Sequence, residues 1–250
     1  VVADALDTYC NAWVARGRHE LVSEPTVLNA PGVRGVAVIR LLVSDDSGYD
    51  RLVEEVVGPW RSVVFVFDRA PRSSEFMRGQ PGWNSSEQQM AMVLNDIDAV
   101  TGATLPDGLS VRPVDRPSFL APDGVSVTDA ATVAIASDLT IPDGADDVAA
   151  FLSGLPPSVR VFAAVDEEGV AHATAACHVF GEYAQVFFVN TEPAWRRRGI
   201  GQAMTVAALR AAASLGARQA LLHATDFGIS VYQLIGFDPV GLLTRYSRAD

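Results

Sequence analysis

The stretch most suited to chemistry in this 250-residue chain is Arg196-Arg197-Arg198-Gly199-Ile200-Gly201-Gln202-Ala203, set in a protein of formal net charge −11. An apolar run, Val186 to Val189, precedes it, and an alanine-rich segment follows. A helix starting at the glycines leaves its first backbone N–H groups unpaired and places the positive end of its dipole there. Gly199 and Gly201 remove the side chains that would hold a bulky anion away from those donors, while Arg196, Arg197 and Arg198 add positive charge. Strand, glycine loop and helix in this order make a phosphate cradle. In isolation the pattern fits a solvated basic turn equally well, because short glycine motifs recur by chance. It is not a dinucleotide fingerprint, since the third glycine is missing and no acidic residue ends a following strand. It also lacks the Gly-Lys-Ser/Thr of a Walker loop.

The elements that must position this loop are legible around it. "VRVFAAVDEEG", "VAHATAACHVFGE" and "YAQVFFVNTEP" read as three strands with tight turns at Glu168-Gly169 and Gly181-Glu182. On the middle strand Ala171, Ala173, Ala175, Cys177 and Val179 share one face; His172, Thr174, Ala176 and His178 share the other. In the helix after the loop, Ile200, Met204, Ala208, Ala211 and Leu215 fall on one side, with Gln202 and Arg210 away from it. A strand (218–225), a short helix (229–236) and a closing strand (239–247) follow. Helices over 129–139 and 146–155, each begun near an aspartate, precede the hairpins. The order from about residue 108 is β-α-α-β-β-β-α-β-α-β. Upstream, residues 4–15 read as a helix, 35–43 and 62–68 as buried strands, and 49–57 as a helix between them. Residues 69–87 read as loop from their Pro, Gly and Ser content. Residues 88–96 are strand or short helix; their period fits either. Prolines and glycines mark a boundary between 105 and 125.

Composition narrows the function classes. With 49 % hydrophobic residues the chain can bury a sizeable core. Cys10 and Cys177 form no CxxC pair or disulfide framework, which suits a reducing, cytoplasmic setting. No segment approaches the roughly 20 apolar residues of a membrane span, and the first 30 residues lack a signal-peptide pattern. The acidic balance argues against nucleic acid or anionic membrane as a partner and is compatible with a cationic substrate such as an amine. No His, Cys and Asp residues have metal-ligand spacing, so no metal is expected.

About thirty residues after the loop comes "ATDFGISVYQLIGF", with Tyr232 four residues before Gly236-Phe237. With Arg196-x-x-Gly199-x-Gly201 at this spacing, the chain resembles the GNAT (Gcn5-related N-acetyltransferase) superfamily over roughly residues 108 to 250. The glycine loop is similar to its pyrophosphate-binding motif, and "VYQLIGF" to its later Tyr-x-x-x-Gly-Phe element. The resemblance implies an α/β (α+β) GNAT fold with a mixed, mostly antiparallel central sheet flanked by helices. It further implies acetyl-CoA as cosubstrate, its pantetheine arm lying along Phe188, Val189 and Asn190. Backbone N–H groups from Arg197 through Ile200 and Gly201 to Gln202 would take the pyrophosphate, with Ala203 in the first helical turn and the arginine side chains supplying field. Tyr232 would protonate the departing CoA thiolate.

Two positions depart from the family pattern. Thr225 stands where an asparagine often contacts the cofactor, keeping a hydroxyl and losing an amide. The strand "YAQVFFV" has no carboxylate or histidine to serve as general base. His172, His178 and Glu182 are nearby in sequence, but each reads better as structural or surface; His223 reads as packed or capping. Trp195 sits beside the loop.

The implied domains are 1–105, an N-terminal α/β unit read as a degenerate GNAT half or a separate cap, and 106–250, the acetyltransferase. The leading function is N-acetylation of a small-molecule amine by direct attack. The alternatives are a non-catalytic acyl-CoA sensor and a protein N-acetyltransferase. The acceptor, the acyl preference and the choice between monomer and homodimer stay open.

Overall fold

The computed structural model describes residues 5–12, 15, 39–57, 62–85, 88–114 and 159–248. In chain order these hold helix α1 (residues 5–12), β1 (Ile39–Val43), a 3-10 turn (Asp46–Gly48), α2 (Tyr49–Val57) and β2 (Ser62–Phe67). Next come α3 (Pro71–Arg78), β3 (Trp83–Ser85), β4 (Gln89–Leu94) and β5 (Ser110–Pro113). The second half holds β6 (Val159–Val165), β7 (Ala171–Phe180), β8 (Tyr183–Thr191), a 3-10 turn (Pro193–Trp195), α4 (Ile200–Ser214), β9 (Gln219–Ala224), α5 (Ile229–Ile235) and β10 (Asp238–Arg248). The helices read at 129–139 and 146–155 lie outside the described residues, as do residues 35–38 of the first strand and residues 115–125 of the boundary segment.

One mixed sheet runs in the order β1-β2-β10-β4-β9-β8-β7-β6-β5, with β3 also paired to β10. The β1–β2 and β8–β9 pairs are parallel; the others are antiparallel. β4, from the first hundred residues, lies between β9 and β10 and is bonded to both. Its sequence shows no clear period because both its faces are covered: Met92 and Leu94 join one core, Ala91 and Val93 the other. A strand buried on both sides reads as a continuous apolar run.

Segment 69–87 is not all loop. Pro71–Arg78 forms α3. Proline suits the first helical turn, where its missing N–H has no partner to lose. The start is capped from a distance: the Asp46 carboxylate accepts from the Arg72 and Ser73 N–H groups at 3.1 and 2.9 Å, and from Ser73 Oγ at 2.9 Å. A turn-like composition was a poor guide because the capping residue lies 27 positions upstream.

Helix α4 covers one face of the sheet. Its Ile200, Met204, Ala208 and Leu209 pack on Ala173, Ala175 and Cys177 of β7 and on Val186 of β8. Alanines on both surfaces let the helix approach closely. Leu215, expected on the packed side, is 43 % exposed, because α4 ends at Ser214 and the chain turns away at Gly216. The other face is covered by α1, where Ala5, Tyr9 and Ala12 meet Phe65, Phe67, Leu221 and Phe180. His223 is packed there, its Nε2 2.5 Å from the Tyr9 hydroxyl. Among the described residues no helix is long and apolar enough to cross a membrane.

Candidate functional site

β8 and β9 pair only at their beginnings, Tyr183–Gln185 against Gln219–Leu221. β8 then continues to Thr191 on β7, while β9 continues to Ala224 on β4. From Val186 and Leu222 onward, the two facing edges form no ladder with each other. Backbone N–H and C=O groups on such edges are strong hydrogen-bonding groups, and a wedge between parallel strands offers them to an extended ligand.

The wedge is shaped by a bulge in β8. Thr174 pairs with Asn190 but Ala176 with Phe187, so Phe188 and Val189 together oppose Ala175, which bends the strand. Phe188 takes a left-handed φ of 52°, a conformation costing a side-chain-bearing residue roughly 1–2 kcal/mol. Its carbonyl accepts the buried Thr174 hydroxyl at 2.9 Å, which pins the bulge.

At the open end of the wedge the chain turns through Pro193–Trp195 into α4. Gly199 caps the helix at φ 76°, a geometry that favours glycine, and Arg197 also has positive φ, at 64°. The first helical bond runs from the Ala203 N–H to the Gly199 carbonyl, 3.0 Å. The N–H groups of Ile200, Gly201 and Gln202 therefore have no acceptor within the helix. A methyl group at Gly199 would meet nothing within 4 Å, and one at Gly201 would first meet Thr191 Oγ1 at 3.8 Å. The helix end is thus open where those two side chains are missing, which fits a phosphate group. Two of the three arginines serve the loop itself. Arg196 Nε donates to the Thr191 carbonyl at 2.8 Å, and the Arg198 guanidinium carbon lies 4.9 Å from the centre of the Trp195 ring. Both, with Arg197, are exposed, so their charge still adds to the field at the helix end.

Tyr232 sits on α5, buried to 9 % exposure. Its ring packs edge-on to Phe237 at 6.0 Å between centroids and lies over Gly228, where a methyl would come within 2.8 Å of Tyr232 Cε2. Gly228 thus leaves room for the ring. Thr225 is exposed just past the end of β9, and its carbonyl accepts from the Gly228 N–H at 2.8 Å. The expected residues thus fall into three groups: Phe188, Val189 and Asn190 on β8, Arg196 to Ala203 at the start of α4, and Thr225 and Tyr232 around the β9–α5 turn.

Beside the loop, His172 and Trp195 are joined by two acids, Asp166 and Glu192, that the sequence does not single out. His172, at the start of β7, is hydrogen-bonded through Nδ1 to Glu192 Oε2 and through Nε2 to Asp166 Oδ2, both at 2.8 Å. Its ring stacks on Trp195 with 4.1 Å between centroids and 23° between planes. Burial opposes charge on His172, but the hydrogen bonds and charges of Glu192 and Asp166 outweigh it and raise its pKa above the ordinary histidine value. The same His172 bond, the largest cause, lowers the pKa of Asp166.

Residues 134–237 match the model of the acetyltransferase (GNAT) family. No curated protein sequence matches the chain. Among solved structures the fold is similar to a GCN5-related N-acetyltransferase from Kribbella flavida, with TM-score 0.54 and 19 % identity over 81 % of this chain and 72 % of that one. A GCN5-related N-acetyltransferase from Sphaerobacter thermophilus gives TM-score 0.53 and 16 % identity, covering 75 % of this chain and 60 % of that one. A tandem GNAT protein from the clavulanic acid biosynthesis pathway gives TM-score 0.50 and 16 % identity, covering 74 % and 63 %. The chain thus spans less than two thirds of the latter two proteins. At these identities the likeness establishes the fold.

Proposed function

From the acetyltransferase (GNAT) domain that this chain carries at residues 134–237, we infer that the protein transfers an acetyl group from acetyl-CoA to the amine of a small molecule. The observation that carries this is the open helix end at Gly199 and Gly201 beside the edges of β8 and β9, whose mutual ladder ends at Gln185 and Leu221. The N–H groups from Arg197 to Gln202 would hold the pyrophosphate, with Ala203 closing the first turn. Edge groups of Phe188, Val189 and Asn190 would bind the pantetheine amides, and the exposed Thr225 hydroxyl would lie beside the same arm. When bound, acetyl-CoA supplies an activated acetyl thioester.

This chain's own residues then orient the thioester and manage one proton. Backbone donors fixed by the bulge and the helix start need no rearrangement to act, which is the economy of a preorganised site. Tyr232 would supply a proton where negative charge develops on sulfur. β8 offers no carboxylate or histidine from Tyr183 to Val189, so the amine would enter as the free base. We further assign residues 106–250 to the acetyl-transferring unit and residues 1–105 to a degenerate half that lends β4 to the sheet. A cytoplasmic setting fits the two free cysteines.

The missing base on β8 also favours a second reading, a binding module that keeps the cradle without turnover. A screen of small amines and lysine peptides that reports free CoA thiol separates the readings. Thiol release that depends on a small amine supports transfer to a small molecule. Release with peptides alone would favour a protein acceptor, and binding without release would favour the sensor.

A further inference from the structure

The His172 cluster is not part of the phosphate cradle, yet it joins every piece of chain that leads into it. Asp166 lies in the β6–β7 turn, His172 is the second residue of β7, Glu192 directly follows β8, and Trp195 closes the 3-10 turn before the arginines. Backbone bonds tie the same pieces: the Glu192 N–H donates to the His172 carbonyl at 2.9 Å, and the Trp195 N–H donates to the Glu192 carbonyl at 2.8 Å.

The protonation state follows from the partners. A neutral imidazole has one N–H donor and one acceptor nitrogen, whereas an ionised carboxylate only accepts. His172 contacts a carboxylate oxygen through each nitrogen at 2.8 Å. Both bonds can form together only if both nitrogens carry protons. A neutral ring would leave one lone pair facing a carboxylate.

We propose that His172 is a positioning residue for the 196–203 loop: held as an imidazolium between Asp166 and Glu192, it fixes the stem of the loop and braces Trp195. This inference rests on the reading of that loop as the acetyl-CoA site. Among the described residues the charged groups around the ring are Asp166 from the β6–β7 turn and Glu192 just after β8, with Arg198 over the Trp195 ring against which His172 stacks. The two acids favour the imidazolium. Because the folded-state pKa is raised, the bracket is complete below the ordinary histidine value and is lost as pH rises through the raised one. The loop stem then loses its tie either to Glu192 or to Asp166.

The test combines a titration with binding. A stacked imidazolium quenches indole fluorescence, so the signal of Trp195, taken as wild type minus Trp195→Phe, should rise as pH rises, with a midpoint above 6.5. Glu192→Gln keeps the side-chain size but removes one charge, and should move that midpoint down. By calorimetry, His172→Phe should bind acetyl-CoA about tenfold more weakly than wild type at pH 6.5, the scale of one lost hydrogen bond to a charged group. Its affinity should also lose the decline that wild type shows across the titration. A midpoint at or below 6.5, a midpoint unmoved by Glu192→Gln, or wild-type affinity in folded His172→Phe would overturn the proposal. If His172→Phe does not fold, Glu192→Gln decides through its shifted binding profile. If wild type binds no acetyl-CoA, the acetyl-CoA reading fails. Amide exchange of residues 196–203 then decides the positioning claim: faster exchange in either variant supports it, and unchanged exchange overturns it.

Discussion

Gly201→Glu should make the protein more stable and, at the same time, unable to hold acetyl-CoA. Gly201 is the second residue of α4. Glutamate is better than glycine in a helix by about 0.6 kcal/mol, and an acid in the first turn adds roughly 0.3–1 kcal/mol through the dipole. The first atom met by a new Cβ is Thr191 Oγ1 at 3.8 Å, ordinary van der Waals contact, so the Cβ itself adds no clash. Three arginines directly before the helix add to the gain. The sum is about 1 kcal/mol or slightly more, which for a chain of this size raises Tm by roughly 2–4 °C. If the N–H groups of the first turn receive a pyrophosphate, however, the new carboxylate stands in its place with the same sign of charge. Acetyl-CoA affinity should then fall by at least about a hundredfold, some 2.8 kcal/mol at 1.4 kcal/mol per decade. Scanning calorimetry and titration calorimetry on one preparation read both effects. A variant of raised Tm that binds acetyl-CoA with wild-type affinity would refute the cradle. A lowered Tm would refute the account of the helix start.

Thr174→Val removes the buried donor to the Phe188 carbonyl; unfolding by urea should show a loss of about 1–3 kcal/mol, and an unchanged midpoint would mean the bulge holds without it. Tyr232→Phe should keep acetyl-CoA affinity, because the ring packing on Phe237 survives, and lower kcat about a hundredfold to ten-thousandfold; wild-type kcat would remove Tyr232 from the chemistry. Deleting residues 1–105 withdraws Met92, Val93 and Leu94, which are at most 5 % exposed. At about 2 kcal/mol each the loss is near 6 kcal/mol, comparable to the whole stability of a domain. The truncated chain should fail to fold by circular dichroism, and a folded, cooperative fragment would contradict the shared sheet.

How much of the fold and site is legible in the sequence depends on how local each signal is. The three hairpin strands, the glycine loop, α4 and α5 all appear where period and turn residues place them, because each is set by neighbouring residues: Gly169 and Gly181 take the positive φ that their turns need. α3 does not show in the sequence because its cap, Asp46, comes from elsewhere in the chain. The position of β4 between β9 and β10 could not be read from a strand that looks the same in any sheet interior. The His172 bracket has a subtler cause. Residues 177 and 186 pair across the hairpin, and continuing that register would set His172 opposite Thr191. The bulge at Phe188 and Val189 shifts the count by one, so Ala173 pairs with Thr191 and His172 comes level with Glu192. Nothing in "VFFVNTE" announces a bulge: it is held by Thr174 on the neighbouring strand and by a phenylalanine in a conformation that usually signals glycine.

The claim at the centre is that an acetyl group passes from acetyl-CoA to an amine nitrogen. Its most direct measurement is mass spectrometry of the acceptor after incubation with acetyl-CoA deuterated in the acetyl methyl. The account predicts deuterated acetyl on the acceptor nitrogen in an amount equal to the thiol released, and no release when the acceptor is omitted. Thiol release that proceeds equally without an acceptor, or that leaves the amine unlabelled, would contradict it.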